Sequence, residues 1–268
     1  MLKMLMKYEW KYIWKKALLF AGLLLLATVI GIFAASQFAE LSDTDRMSGL
    51  LGALLGYMLY YTVLVGSILG LILIIAIRFY RSVFGSAGYV TNTLPASGRQ
   101  IYGAHLIVYG ITYFVFTWLV FGSIMLVTNR VVTGIAVSMD MGAEMFGSYG
   151  PNMFGFDGPA EIALLVVYTA IATITSLLMI YASIVLGQSW KKHKVWGAVV
   201  SYIVISVTMM IVTSIVLFPY MIGSIMMNPA SPTLGTSFWV ICLVIVLIYG
   251  AATLWITDRG MTKRLNLE

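Results

Sequence analysis

An all-α membrane protein with six transmembrane helices, both termini cytoplasmic, is the architecture this sequence predicts, and three observations predict it. Of 268 residues, 61% are apolar and 10% charged, against about 45–50% and about 25% for a water-soluble domain. Too little polar surface remains to face water. Six apolar runs free of Asp, Glu, Lys and Arg are each long enough to cross about 30 Å of hydrocarbon as a helix. The charges are also sorted between alternate loops.

The runs lie at 17–36, 49–77, 103–128, 162–187, 195–217 and 237–256. A membrane β-barrel needs short strands of alternating polarity, and ALLFAGLLLLATVIGIFAAS does not alternate. With both ends inside, the cytoplasmic segments hold Lys3, Lys7, Lys11, Lys15, Lys16, Arg78, Arg81, Arg99, Lys191, Lys192, Lys194, Arg259, Lys263 and Arg264. Of the 16 basic residues only Arg46 and Arg130 fall outside, where Glu40, Asp43, Asp45, Asp140, Glu144, Asp157 and Glu161 also lie. This is the positive-inside asymmetry, and it accounts for a net charge of +6 without nucleic acid. Trp190, Trp196 and Trp255 fall at inner ends and Trp239 at an outer end, as a headgroup-level belt requires; Trp118 lies deep in the third span. The single Cys242 sits in an apolar run and reads as packing.

Residues 1–16, MLKMLMKYEWKYIWKK, predict an amphipathic helix in the inner interface. Lys3, Lys7, Lys11 and Lys15 recur every four residues, with Leu2, Leu5, Met6, Trp10 and Ile13 opposite. Such a helix suits the bilayer surface, its lysines meeting anionic headgroups. Glu9 breaks the apolar arc: it either snorkels or pairs with Lys16, or it contacts a cytoplasmic partner. A secretory signal would carry an apolar core of about 7–15 residues. The first run is longer, so it is expected to stay as an anchor.

The second run, with Gly52-x-x-x-Gly56 and Gly66-x-x-x-Gly70, allows close helix approach, within the chain or across a dimer. Residues 129–161 form a long outer segment whose Met139, Met141, Met145 and Met153 are soft donors for Cu(I). No Cys or His joins them, and a Gly-, Met- and Phe-rich cap over the outer mouth is the expected role. Pro219 is expected to end the fifth helix, leaving 219–227 as a short re-entrant element. Residues 257–268 make a short cytoplasmic tail.

No G-x-x-x-x-G-K-[ST] phosphate loop and no zinc motif occurs. His105 is expected to cap the start of the third span rather than act as a ligand or proton relay, and His193 belongs to a solvated loop. Ion-driven carriers rely on intramembrane ionisable groups, which these spans lack. Energy for work on a substrate is therefore expected from outside the chain. Hydroxyls remain, some bonding to the backbone one turn back. Tyr57, Tyr60, Tyr61, Thr169, Thr173 and Ser206 are candidates to line a mildly polar path for an amphipathic substrate.

Between the second and third spans lies RFYRSVFGSAGYVTNTLPASGRQIYGAH, residues 78–105, with small residues, few charges and Phe79, Phe84 and Tyr89. That composition suits protein docking better than solvation. The stretch GYVTNTLPASGRQIYGAHL resembles the segment joining the second and third spans in permease subunits of bacterial type-2 ATP-binding-cassette exporters. Gly98-Arg99 stands where a basic pair is common. The resemblance implies a multi-pass protein of the bacterial cytoplasmic membrane, a homodimer served by two copies of a separate ATPase. It implies no enzyme activity and no cofactor on this chain, ATP and Mg residing on the ATPase. It further implies a coupling helix around 79–88, with Phe79, Arg81, Ser82, Val83, Phe84 and Tyr89 at the contact, and short re-entrant helices between spans five and six. Peptide is the leading substrate class, then drugs and lipids. A non-transporting sensor or assembly module that docks a cytoplasmic partner is the alternative, and a self-powered carrier a third.

Overall fold

A computed structural model describes residues 2–37, 46–84, 98–138, 159–190, 193–227 and 235–263. They form six helices: α1 (Leu2–Gln37), α2 (Arg46–Val83), α3 (Gly98–Ser138), α4 (Pro159–Gly187), α5 (Lys194–Met227) and α6 (Gly235–Lys263). All six are long and apolar enough to cross a membrane. The chain is thus an all-helical, multi-pass membrane protein.

The helices outrun the apolar segments, and three expectations change as a result. Residues 2–16 are not an element of their own but the first turns of α1, which runs unbroken for 36 residues, about 54 Å at 1.5 Å per residue. No Gly or Pro stands between the lysine ladder and the first apolar run to break the hydrogen-bond pattern. Residues 129–138 continue α3 instead of opening the outer loop; Met139, Met141, Met145 and Met153 lie outside the described residues. Pro219 does not end its helix. α5 passes through it to Met227, so 219–227 form no separate re-entrant element. The proline ring removes one backbone donor, a loss that membrane helices tolerate where the freed carbonyl finds another partner.

By contacts the chain divides into two compact units, residues 1–10, 75–114 and 154–268 in one, 11–74 and 115–153 in the other. In the second unit a chain of hydroxyls joins α1, α2 and α3. Thr28 Oγ1 donates to the Leu24 carbonyl at 2.7 Å, Ser123 Oγ lies 2.7 Å from Thr28 Oγ1, and Tyr60 OH lies 3.0 Å from Ser123 Oγ. Each hydroxyl has one proton to give, so donation runs from Tyr60 to Ser123 to Thr28 to the carbonyl. All three side chains are buried. The second glycine of each spaced pair faces α1: a Cβ at Gly56 would come within 2.6 Å of Ala34 Cβ, and one at Gly70 within 2.5 Å of Phe20. Those close approaches are made within the chain. Gly52 and Gly66 meet nothing within 4 Å.

In the first unit α4 is central. Residues 177–185 are buried on every side, as expected of a helix apolar all round. Thr175 Oγ1 reaches the Val246 carbonyl of α6 at 3.4 Å. α5 is the opposite case, with Gly197 its only buried residue among those described. It packs tightly at its start, where a Cβ on Gly187 would lie 2.6 Å from Ala198 Cα and 2.7 Å from Ala198 Cβ.

That contact separates two glycines by experiment. Gly187→Ala is expected to destabilise the protein by about 1–3 kcal/mol, since helix backbone must shift to admit the methyl. Gly110→Ala, where nothing lies within 4 Å, is expected to leave thermal unfolding of the full chain in detergent unchanged.

Candidate functional site

The buried faces of α1, α2 and α3 follow helical spacing: 13, 24, 27, 34 and 35 on α1; 60, 64, 71, 75 and 79 on α2; 101, 104, 108, 116, 120 and 127 on α3. Glu9, Ser82, His105 and Tyr109 occupy the same register and are buried. Four polar groups thus stand where the period calls for apolar ones.

In the first unit they meet. The Arg78 guanidinium donates to Glu9 through Nη2 at 2.7 Å and Nε at 3.0 Å, a two-pronged contact matched to the carboxylate plane. The Tyr109 hydroxyl donates to the same carboxylate. His105 stacks on the Tyr109 ring, centroids 5.5 Å apart, and its Nε2 lies 3.0 Å from Ser82 Oγ. Phe79 completes the cluster, edge-on to His105 and stacked on Tyr181 of α4 at 3.9 Å. The Glu9 side chain is 7% exposed and that of Arg78 29%. The carboxylate is therefore the desolvated member, and the guanidinium keeps one edge near water.

Serine, imidazole and carboxylate in that order invite comparison with a hydrolase triad. The geometry argues against it. Ser82 Oγ has both the Phe79 carbonyl at 3.1 Å and His105 Nε2 at 3.0 Å within reach of its one proton. His105 Nδ1 stands 3.7 Å from Glu9 Oε2, too far for a hydrogen bond. With Ser82 and His105 at 5% and 3% exposure, no substrate reaches them. The cluster is a joint between helices. Among the described residues no group of three or more His, Cys, Asp and Glu is placed to hold a metal ion.

This arrangement corrects two expectations. Glu9 pairs across to Arg78 and Tyr109, not along its own helix to Lys16; Lys16 sits 3.5 Å over the Tyr12 ring. His105 lies two turns inside α3 and caps nothing.

Of the residues expected at the docking contact, Phe79, Ser82 and Val83 have their side chains in the chain's own interior. Arg81 is exposed and Phe84 half-buried, its backbone N–H bonding to the Tyr80 carbonyl. Tyr89 lies outside the described residues. Of the expected path residues, Tyr57, Tyr60 and Tyr61 pack together with centroids 5.1–6.1 Å apart in the second unit. Tyr60 is bound into the hydroxyl chain; Tyr61 is exposed. Thr169 and Thr173 belong to the first unit and donate to the Val166 and Ala170 carbonyls. Thr173 also borders an apolar groove of about 350 Å³ between α3 and α4, beside Gly110, Phe114 and Ile174. Ser206 is half-buried on α5.

The sequence reading singled out Glu9 as anomalous but did not find its partners, nor the role of Ser123. A signal was present in the phase of the pattern: polar residues repeating in step with an apolar stripe mark a buried network. Compared with known protein families, curated proteins and solved structures, the chain finds no match.

Removing one partner of a buried ion pair strands the other, at about 3–5 kcal/mol for full burial. Arg78→Gln, which strands the desolvated carboxylate, is expected to fall in this range. Glu9→Gln is expected to be milder, since Arg78 still reaches water. Glu9→Gln/Arg78→Gln should destabilise less than Arg78→Gln alone, as measured by denaturant unfolding of the full chain in detergent.

Proposed function

We propose that the chain is the permease subunit of an ATP-driven exporter, forming the membrane path for an amphipathic substrate, with peptide the leading class. Two copies of a separate ATPase would supply the energy and hold ATP and Mg. The observation that carries this reading is the stretch after Arg78. It leaves the membrane between two apolar helices, turns Arg81 outward at the end of α2 with Phe84 half-buried beside it, and continues into the segment resembling the exporter permeases. In this reading both termini face the cytoplasm of a bacterium, the lysine ladder of α1 lies at inner headgroup level, and two permeases pair. Exposed Trp190, Trp196 and Trp255 support the level of the inner interface, as does Arg259, 4.9 Å over the Trp255 ring.

The contact itself narrows. Arg81 and Phe84 are the side chains of the described part that are available to a partner; Phe79, Ser82 and Val83 hold the helix end in place behind them.

Glu9, Arg78 and His105 favour a second reading, an ion-coupled carrier, because ionisable groups buried in membrane helices are functional by default. Their mutual pairing, with Glu9 held by both Arg78 and Tyr109, counts against a freely exchanging proton site.

Co-expression with a candidate ATPase, followed by affinity purification of this chain, should yield a complex that accumulates substrate in inside-out vesicles only with ATP. Phe84→Asp is expected to abolish capture of the ATPase, because a charge would enter an apolar contact, with unfolding of the chain unchanged. Arg81→Glu should weaken capture in a salt-dependent manner. Accumulation driven by a proton or sodium gradient in liposomes holding this chain alone would replace the ATP-driven reading with the ion-coupled one.

A further inference from the structure

The Glu9 carboxylate takes hydrogen bonds from both sides of one connection. Arg78 stands five residues before the carboxyl end of α2, and Tyr109 stands in the fourth turn of α3. Two further contacts tie these helix ends directly: Ser82 to His105 at 3.0 Å, and the Phe79 ring edge-on to His105 at 5.8 Å. Residues 2–10 of α1 belong to the same compact unit as both helix ends. A third helix is thus fastened, by one charged group, to the end of α2 and the start of α3 together.

We propose that Glu9 is a positioning residue that makes the amino-terminal turns of α1 follow any movement of the α2–α3 connection. Its role as a conveyor of motion to transport rests on the exporter reading. The physical ground is the dryness of the cluster. A weakened contact at a wet surface yields by degrees, as water replaces each lost bond. A carboxylate buried with Arg78 and Tyr109 has no such intermediate: it stays with its partners or is stranded. If the end of α2 moves, Glu9 must travel with it, and the amino-terminal turns of α1 with Glu9. Packing alone would let the helices slide past one another; the two-pronged bond fixes both distance and angle.

The test must separate a conveying role from mere support, and three variants do so: Glu9→Gln, Arg78→Gln and the double variant. Removing both charges relieves the stranded-group penalty, so stability recovers in the double variant. The joint does not. In the purified complex of full-length permease and ATPase, substrate accumulated per ATP hydrolysed is expected to fall about tenfold, within the usual range of coupling between sites. It should stay low in the double variant although ATPase capture is retained and unfolding recovers toward the wild-type value. Recovery of the transport ratio together with stability would assign Glu9 a supporting role only and overturn the proposal, as would a wild-type ratio in all three variants. If the wild-type chain captures no ATPase, the exporter reading fails separately. Hydrogen exchange on the full chain then decides the joint. Faster exchange at residues 2–10 in the stable double variant, with α5 unchanged, supports it, and unchanged exchange at 2–10 overturns it.

Discussion

A carboxylate brought out of water needs its counter-charge with it, and in this chain that requirement falls on Glu9. Its oxygens accept from Arg78 on α2 and Tyr109 on α3, and His105 lies beside them on a stack of aromatic rings. Lose either donor and the remaining groups are left in a medium that screens charge poorly. The approach of α1 to the end of α2 and the start of α3 follows from that demand. So does the burial of Phe79, which closes the cluster on the α4 side through Tyr181. A segment expected to offer its side chains to a partner instead turns Phe79, Ser82 and Val83 inward, leaving Arg81 exposed and Phe84 half-buried.

The second unit solves a related problem with neutral groups. Lipid offers no hydrophobic drive for helices to associate, so close packing and hydrogen bonds must do it. Tyr60, Ser123 and Thr28 make a directed chain that ends on a carbonyl, leaving no hydroxyl proton without an acceptor. The chain fixes the rotation of three helices about their axes, because a turn of one residue, about 100°, would carry any member away from its neighbour. Gly31 supports the arrangement from α1. A Cβ there would come within 2.9 Å of both the Tyr60 ring and Val127.

Much of the fold was legible in the sequence because the bilayer imposes so simple a rule. Length and absence of charge were enough to find six helices, and their apolar runs all lie within the observed elements. What was not legible were the helix ends. Apolar length measures hydrocarbon thickness, whereas a helix stops where its backbone hydrogen bonds stop, so α1 begins at Leu2 and α3 continues to Ser138. Pro219 misled for a related reason: its effect in water overstates its effect in a helix whose neighbours are lipid and other helices. The joint was half legible. Glu9 stood out as a charge on an apolar arc, but its partners are 69 and 100 residues away, and composition does not reveal contacts at that range. Tyr60 read as a pore hydroxyl because type alone does not distinguish a side chain lining a path from one closing a network. The burial of Phe79 could not be read from the docking pattern, since a coupling surface and the brace behind it share the same aromatic composition.

Those sequence separations also set an order in time. As the chain leaves the ribosome, α1 is complete long before Arg78 exists, and Tyr109 arrives later still. Through that interval Glu9 lacks the donors that pair it, and its carboxylate must take its hydrogen bonds from water. Only the synthesis of α3 supplies the last donor and lets the carboxylate be withdrawn from water. α5 waits for nothing of this kind. With Gly197 its one buried residue among those described, it carries no buried charge that must await a partner. A helix made before its partners is thus secured only after them, and its final seating reports that α1, α2 and α3 have met.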